Sequence, residues 1–296
     1  MKVFYSDTYE VPLPDGHRFP MGKYKKLRER LIKDRVIDAE FIEADICQIE
    51  DLLLAHDHEY IHQVLSLTLE RKLARAVGLP LTPEMVIRAR ASMQSFLNAT
   101  FTALEEGVSS SLAGGTHHAH KDGGEGFCFF NDFAVATRKI HSIDPYKKIL
   151  ILDLDVHQGN GNSSILNQDK NVFIISFHGE TNYPYRKVES HIDIGFSKNT
   201  KDDEYLQKLK EVLTEISGHE LLLYQAGVDS LVHDRFGSLD LSYEGLLERD
   251  RLVFEFVKSQ GISMAMALGG GYTDPVDLSV EAYVNTYKTL NDVFFK

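Results

Sequence analysis

The 296-residue chain is long enough for one large α/β domain or two smaller ones, and its 43% hydrophobic share is ordinary for a globular protein. A formal charge of −12 argues against direct, nonspecific nucleic-acid binding, and no stretch is apolar for long enough to span a membrane. The two cysteines, Cys47 and Cys128, provide neither a disulfide framework nor a CxxC pair, so a cytoplasmic setting is expected.

The opening MKVFYSD reads as a first strand at Val3–Tyr5, since it lacks the apolar core of a signal peptide. A loop with Pro12 and Pro14 follows, carrying Arg18 among aromatic and proline residues. Residues 22–34 form a basic helix. Asp57 is placed to cap a helix beginning near His58; the neighbouring histidines read as capping and surface groups rather than metal ligands. Thr82-Pro83 starts a longer helix, with Met93, Leu97, Phe101 and Leu104 on one face and Gly107 as its stop.

The next segment, GGTHHAHKDGGEGFC, places adjacent His117 and His118 in a run of small residues, a pairing that suggests acid–base chemistry. Its glycine-rich loop lacks the Lys-Ser/Thr ending of a phosphate-binding loop. Phe133–Ile140 is helical. Ile149–Leu152 then forms an unbroken apolar run, as suits a strand buried on both faces.

Directly after it come Asp153, Asp155 and His157 at alternate positions. In an extended chain these would point to one side from the end of a core strand. Paired carboxylates repel each other, and a bound cation is one reason to keep them together. A polar loop without metal is the competing reading.

Further strands are expected at Val172–Phe177, Leu221–Tyr224 and Ser263–Leu268, with helices over Asp203–Ile216, from Ser242 to about Lys258, and from Val280 to Leu290. Asp229 and Tyr272 fall just beyond two of these strands. Strand–helix alternation without a linker or composition shift predicts a single domain over 1–296: an α/β fold with a largely parallel sheet and helices on both faces. Right-handed crossovers would gather His117, His118, Asp155, His157, Asp229 and Tyr272 at one sheet edge.

Taken together, GGTHHAH, GEGFCFFND, ILDLDVHQGNG, YQAGVDSLVHDRFGSLDLS and LGGGY resemble, in order, the zinc-dependent histone deacetylase family, and the HQGNG form resembles its class IV and bacterial members. HRFPMGKY and AHDHEYIHQVL are similar to the family's N-terminal segments. The resemblance implies the open arginase–deacetylase fold and a catalytic Zn²⁺ held by Asp155, His157 and Asp229; Fe²⁺ suits the same donors. It implies hydrolysis of an acylated amine, most readily Nε-acyl-lysine carrying an acetyl or longer fatty acyl group.

In that scheme His118 is general base and then acid, His117 its electrostatic or proton-handling partner, and Tyr272 the oxyanion donor. Asp153 supports His117, and Asn160 supports His118. Asp153, Asp155, His157, Ser176 and Phe177 surround a K⁺ or Na⁺. Phe127 and Tyr183 wall a substrate channel with Gly126 and Gly271, and Arg18 lies near its acyl foot.

Two departures matter. Asn160 stands where many relatives have Asp, which makes His118 less basic. Residues 77–82 also lack the acid that relatives use to grip a substrate backbone. A small acylated amine such as an acetylpolyamine therefore competes with acyl-lysine in a protein. A non-catalytic acyl-lysine binder and an arginase-like two-metal hydrolase compete as well.

Overall fold

The computed structural model describes residues 1–296. In chain order its elements are β1 (Lys2–Tyr5), α1 (Lys23–Lys33), β2 (Glu40–Glu43), α2 (Ile49–Leu52), α3 (His58–Leu65), α4 (Arg71–Val77), α5 (Pro83–Glu106), β3 (Val108–Ser111), α6 (Asp132–Ile143), β4 (Ile149–Asp153), α7 (Asn160–Leu166), β5 (Val172–Gly179), β6 (Ile192–Phe196), α8 (Asp202–Glu215), β7 (Leu221–Gln225), α9 (Tyr243–Gln260), β8 (Ser263–Ala267) and α10 (Asp277–Phe294). All eight strands join one sheet in the order β2-β1-β3-β8-β7-β4-β5-β6, and every pairing is parallel.

The apolar runs are explained by a core on each face. Ile149 and Ile151 of β4, Leu221 and Leu223 of β7, and Ala265 and Ala267 of β8 pack on the side covered by α3, α5 and α6. The intervening residues, Leu150, Leu152, Leu222, Tyr224, Met264 and Met266, pack on the side covered by α1, α8, α9 and α10. Each fully buried Leu or Ile contributes roughly 1.5–3 kcal/mol. A one-residue slip would leave both faces apolar, so register depends on the polar residues at the strand ends.

The expected caps form at Thr82, whose Oγ1 accepts from Met85 N at 3.2 Å, and at Ser242, whose Oγ accepts from Gly245 N at 2.9 Å. Asp57 occupies the N-cap position without capping; its carboxylate pairs with Lys121 at 2.9 Å instead. Three strands, β2, β3 and β6, are present beyond those expected from the sequence. β3 is VSSS, a poor strand by propensity. It is buried because each hydroxyl has a partner: Lys2 O for Ser109, Tyr287 Oη for Ser110 and Ser95 Oγ for Ser111.

Candidate active site

The parallel sheet delivers the loops after β3, β4, β5, β7 and β8 to one edge. There Asp155, His157 and Asp229 converge, with donor atoms all within 4.8 Å of one another. The pleat of an extended strand does not produce this arrangement. β4 ends at Asp153, and residues 155–157 form a bend. Two successive Asx turns make the bend: Asp153 Oδ1 accepts from Asp155 N at 3.2 Å, and Asp155 Oδ1 accepts from His157 N at 3.0 Å. Asp229 is held by Val156 N at 2.9 Å, and Asp155 Oδ2 by Gly270 N at 2.7 Å. Residue 270 must be glycine, because a Cβ there would run into the Asp229 carboxylate.

This trio suits a divalent cation. His157 Nδ1 lies 3.0 Å from Asp155 Oδ1 and 3.1 Å from Asp229 Oδ2. Three donors about 2.0–2.1 Å from a common tetrahedral centre would stand about 3.3 Å apart. Burial, followed by the nearby Asp155 charge, raises the Asp229 carboxyl above its ordinary range. A cation between the two acids removes that penalty.

Beside the trio, the His117 and His118 rings lie with centroids 4.1 Å apart, tilted by 49° to each other. Their loop is fixed from behind by buried Asp132, which accepts from Gly115 N at 2.7 Å and Thr116 N at 2.9 Å. His117 Nδ1 is 2.7 Å from Asp153 Oδ2. Burial would lower this histidine, but the Asp153 and Asp155 carboxylates outweigh it and raise it to about 9. His118 Nδ1 is 2.7 Å from Asn160 Oδ1. Burial, then the charges on His117 and His157, holds His118 well below the ordinary histidine value. The two imidazoles are thereby pushed in opposite directions, His117 up by its carboxylate neighbours and His118 down by burial.

Two cavities meet at this point. The outer one has a volume of about 410 Å³; Arg18, Val77, Phe127, Tyr183, Tyr185 and Phe236 are among its walls, and Tyr185 is 89% exposed at its mouth. The inner one, about 40 Å³, is lined by Phe19, Tyr24, Arg88, Ser92 and Cys128, among others. His118, Gly126, Phe127, His157 and Tyr272 line both and form the neck. Gly126, at φ +56°, and Phe127, at φ +67°, lie in the left-handed region; a Cβ on Gly126 would come within 2.5 Å of His118 Cδ2.

Arg18 sits on the outer wall, 5.8 Å from the Phe236 ring, and the guanidinium of the inner pocket belongs to Arg88. Gly271 lies outside both linings, turned against Val228 and Ser279 at φ +152°; Gly269 and Gly270 are the lining glycines. Tyr272 has buried Lys23 Nζ 5.5 Å from its ring centre. Ser176 pairs with Asp153 across β4 and β5, but its Oγ lies 3.0 Å from His178 Nδ1, and the Phe177 ring packs on Phe196 and Tyr205.

His56, expected at the surface, is buried and bridges His120 O and Asn131 N at 2.9 Å each. Arg88 carries no sequence signal, because it lies mid-helix in α5 with no motif around it. Glu125 stands within GEGF, where the flanking glycines mask it.

A model of the histone deacetylase domain matches residues 17–287. The chain belongs to the histone deacetylase family. An uncharacterized protein of Picosynechococcus is 37% identical over 99% of both chains. Histone deacetylase 2 of Arabidopsis thaliana is 27% identical over 92% of this chain and 74% of its own. A crystal structure of an HDAC homolog complexed with SAHA superposes with a TM-score of 0.84 at 23% identity, covering 98% of this chain and 84% of that one. At that identity the likeness establishes the fold, the arginase–deacetylase architecture expected from the motifs. This protein is therefore a hydrolase of the deacetylase class, and no helix in it is long and apolar enough to cross a membrane.

Proposed function

We propose that this histone deacetylase family member removes short acyl groups, acetyl foremost, from Nε-acyl-lysine. The observation that carries the reading is the pair of cavities meeting at a neck lined by His118, His157 and Tyr272. The outer cavity takes a lysine-like aliphatic chain between Phe127 and Tyr183. The inner one has room for roughly three waters, which is acetyl scale and far short of a fatty chain.

Asp155, His157 and Asp229 would hold a divalent cation, Zn²⁺ or Fe²⁺ by donor type. Such an ion, when bound, polarises the acyl carbonyl and lowers the pKa of water to about 7. His118 accepts the proton of the attacking water at Nε2, since Nδ1 faces Asn160. It then returns that proton to the departing amine as the C–N bond breaks, leaving a carboxylate and a lysine. Charged His117, tied to Asp153, stabilises the negative charge that builds up beside it. Tyr272 donates to the carbonyl oxygen as it becomes an oxyanion. Burial, then the Asp155 and Asp229 charges, pushes its phenol well above the ordinary value, so it remains a donor.

A second reading, a small acylated amine in place of a peptide, has its own support. The outer wall at Ala76, Val77 and Gly78 offers no carboxylate to a substrate backbone. A polycationic amine fits poorly, because the one Asp, Glu, Lys or Arg in that lining is Arg18. Metal-loaded protein assayed on lysine peptides from acetyl to myristoyl, and on acetylpolyamines, tests both. The highest kcat/KM is expected on acetyl-lysine peptides. A preference for myristoyl would overturn the pocket argument, and a preference for polyamine would overturn the lysine reading.

A further inference from the structure

Asn160, the neutral partner of His118, is itself held by two further side chains. Its Nδ2 donates to Glu125 Oε1 at 2.5 Å and to His120 Nε2 at 3.1 Å. Hydrogen positions follow from counting donors. Ser164 Oγ donates its one hydrogen to Gly161 O at 3.0 Å. With that hydrogen on Gly161 O, it accepts from His120 Nδ1, 2.7 Å away, and His120 Nε2, which also lies 3.4 Å from Glu125 Oε1, is the acceptor that the Asn160 amide meets. Both hydrogens of the Asn160 amide are then used, one on His120 Nε2 and one on Glu125 Oε1. Its oxygen can only face His118, 2.7 Å away, and His118 must carry its proton on Nδ1. A flipped amide would set oxygen against the Glu125 carboxylate and a ring lone pair.

The loop that carries Glu125 is anchored independently of this network. Gly126 N donates to Ala76 O at 3.1 Å and Phe127 N to Val77 O at 2.7 Å, docking it on the end of α4. Half-buried Glu125 is therefore held against Asn160 by main chain.

We propose that Glu125 is a positioning residue: its carboxylate orients the Asn160 amide and so fixes His118 as the Nδ1–H tautomer, with Nε2 free to take a proton. The inference rests on the reading of His118 as proton acceptor. Glu125 touches no reacting atom and acts only through Asn160.

The test combines kinetics with a tautomer measurement on full-length protein. Ring-¹⁵N histidine labelling reports which His118 nitrogen is protonated, with the signal assigned by its loss in His118→Gln. Wild type is expected to show Nδ1–H, and Glu125→Leu a mixture of tautomers. On an acetyl-lysine peptide, Glu125→Leu should lower kcat about tenfold at nearly constant KM, a partial loss of what a positioned base supplies. Asn160→Asp alone sets two carboxylates face to face and should also cost about tenfold. The Glu125→Gln/Asn160→Asp double variant lets glutamine donate to the new aspartate, and should recover to within about threefold of wild type.

A double variant no better than Asn160→Asp would overturn the proposal, even if Glu125→Leu failed to fold. So would Nδ1–H and wild-type kcat retained in Glu125→Leu. If metal-loaded wild type hydrolysed no acylated amine, the catalytic reading of His118 would fall, while the tautomer spectra would still decide whether Glu125 sets the proton position.

Discussion

Gly126→Ala adds one methyl group at the neck between the two cavities. Two costs follow from the structure. The residue sits at φ +56°, where an L side chain costs about 1–2 kcal/mol. Its Cβ would also stand 2.5 Å from His118 Cδ2, against an ordinary contact of about 3.4–4 Å. The loop cannot retreat freely, because Gly126 N and Phe127 N are bonded to the end of α4. The imidazole must therefore shift by about 1 Å, away from its 2.7 Å hydrogen bond to Asn160. A displacement of that size at a reacting group can cost about 100-fold in rate. Steady-state kinetics on an acetyl-lysine peptide should show a kcat loss of that order with KM changed little. Calorimetry should show a melting temperature only a few degrees lower, since about 1–2 kcal/mol moves a chain of this size by that much. Wild-type kcat in a folded Gly126→Ala protein would refute the claim that this loop presses on the His118 ring.

Tyr272→Phe should lower kcat by about 10²–10³-fold while the protein still binds substrate, as measured by KM and ligand titration. Asp229→Ala should abolish stoichiometric metal on elemental analysis, and should remove the rise in melting temperature that added Zn²⁺ gives wild type. Arg18→Glu should shift relative kcat/KM toward cationic acetylpolyamines by about tenfold, because it reverses the one formal charge in the outer lining. Burial holds His56 at about 4 against an unfolded value of 6.5. Its ring donates to His120 O from one nitrogen and accepts from Asn131 N at the other, so a second proton has no place. Below pH 6.5 the unfolded chain binds a proton that the fold refuses, and His56 alone removes up to about 3 kcal/mol of stability by pH 4. Urea midpoints at pH 7, 5.5 and 4.5 should fall accordingly, and a flat series would count against a neutral buried His56.

Legibility in the sequence follows the type of signal. Ile149–Leu152 and Leu221–Tyr224 stand out because strands with a core on each face are apolar at every position. β3 stays hidden because its serines are satisfied by partners up to 177 residues away, which no local window records. Asp155, His157 and Asp229 are visible by residue type, but the cause of their convergence is not: Asx turns, rather than the pleat, bring the donors together. Arg88 reaches the inner pocket through helix packing alone. The burial of His56 is invisible locally because its partners, His120 and Asn131, lie 64 and 75 residues away.

The strand order also governs how the chain can assemble. β8, last of the strands to be synthesised, is inserted at the centre of the sheet between β3 and β7. Residue 117 follows β3, while residues 155 and 229 follow the directly paired β4 and β7, so β8 is the strand that joins the two halves of the rim.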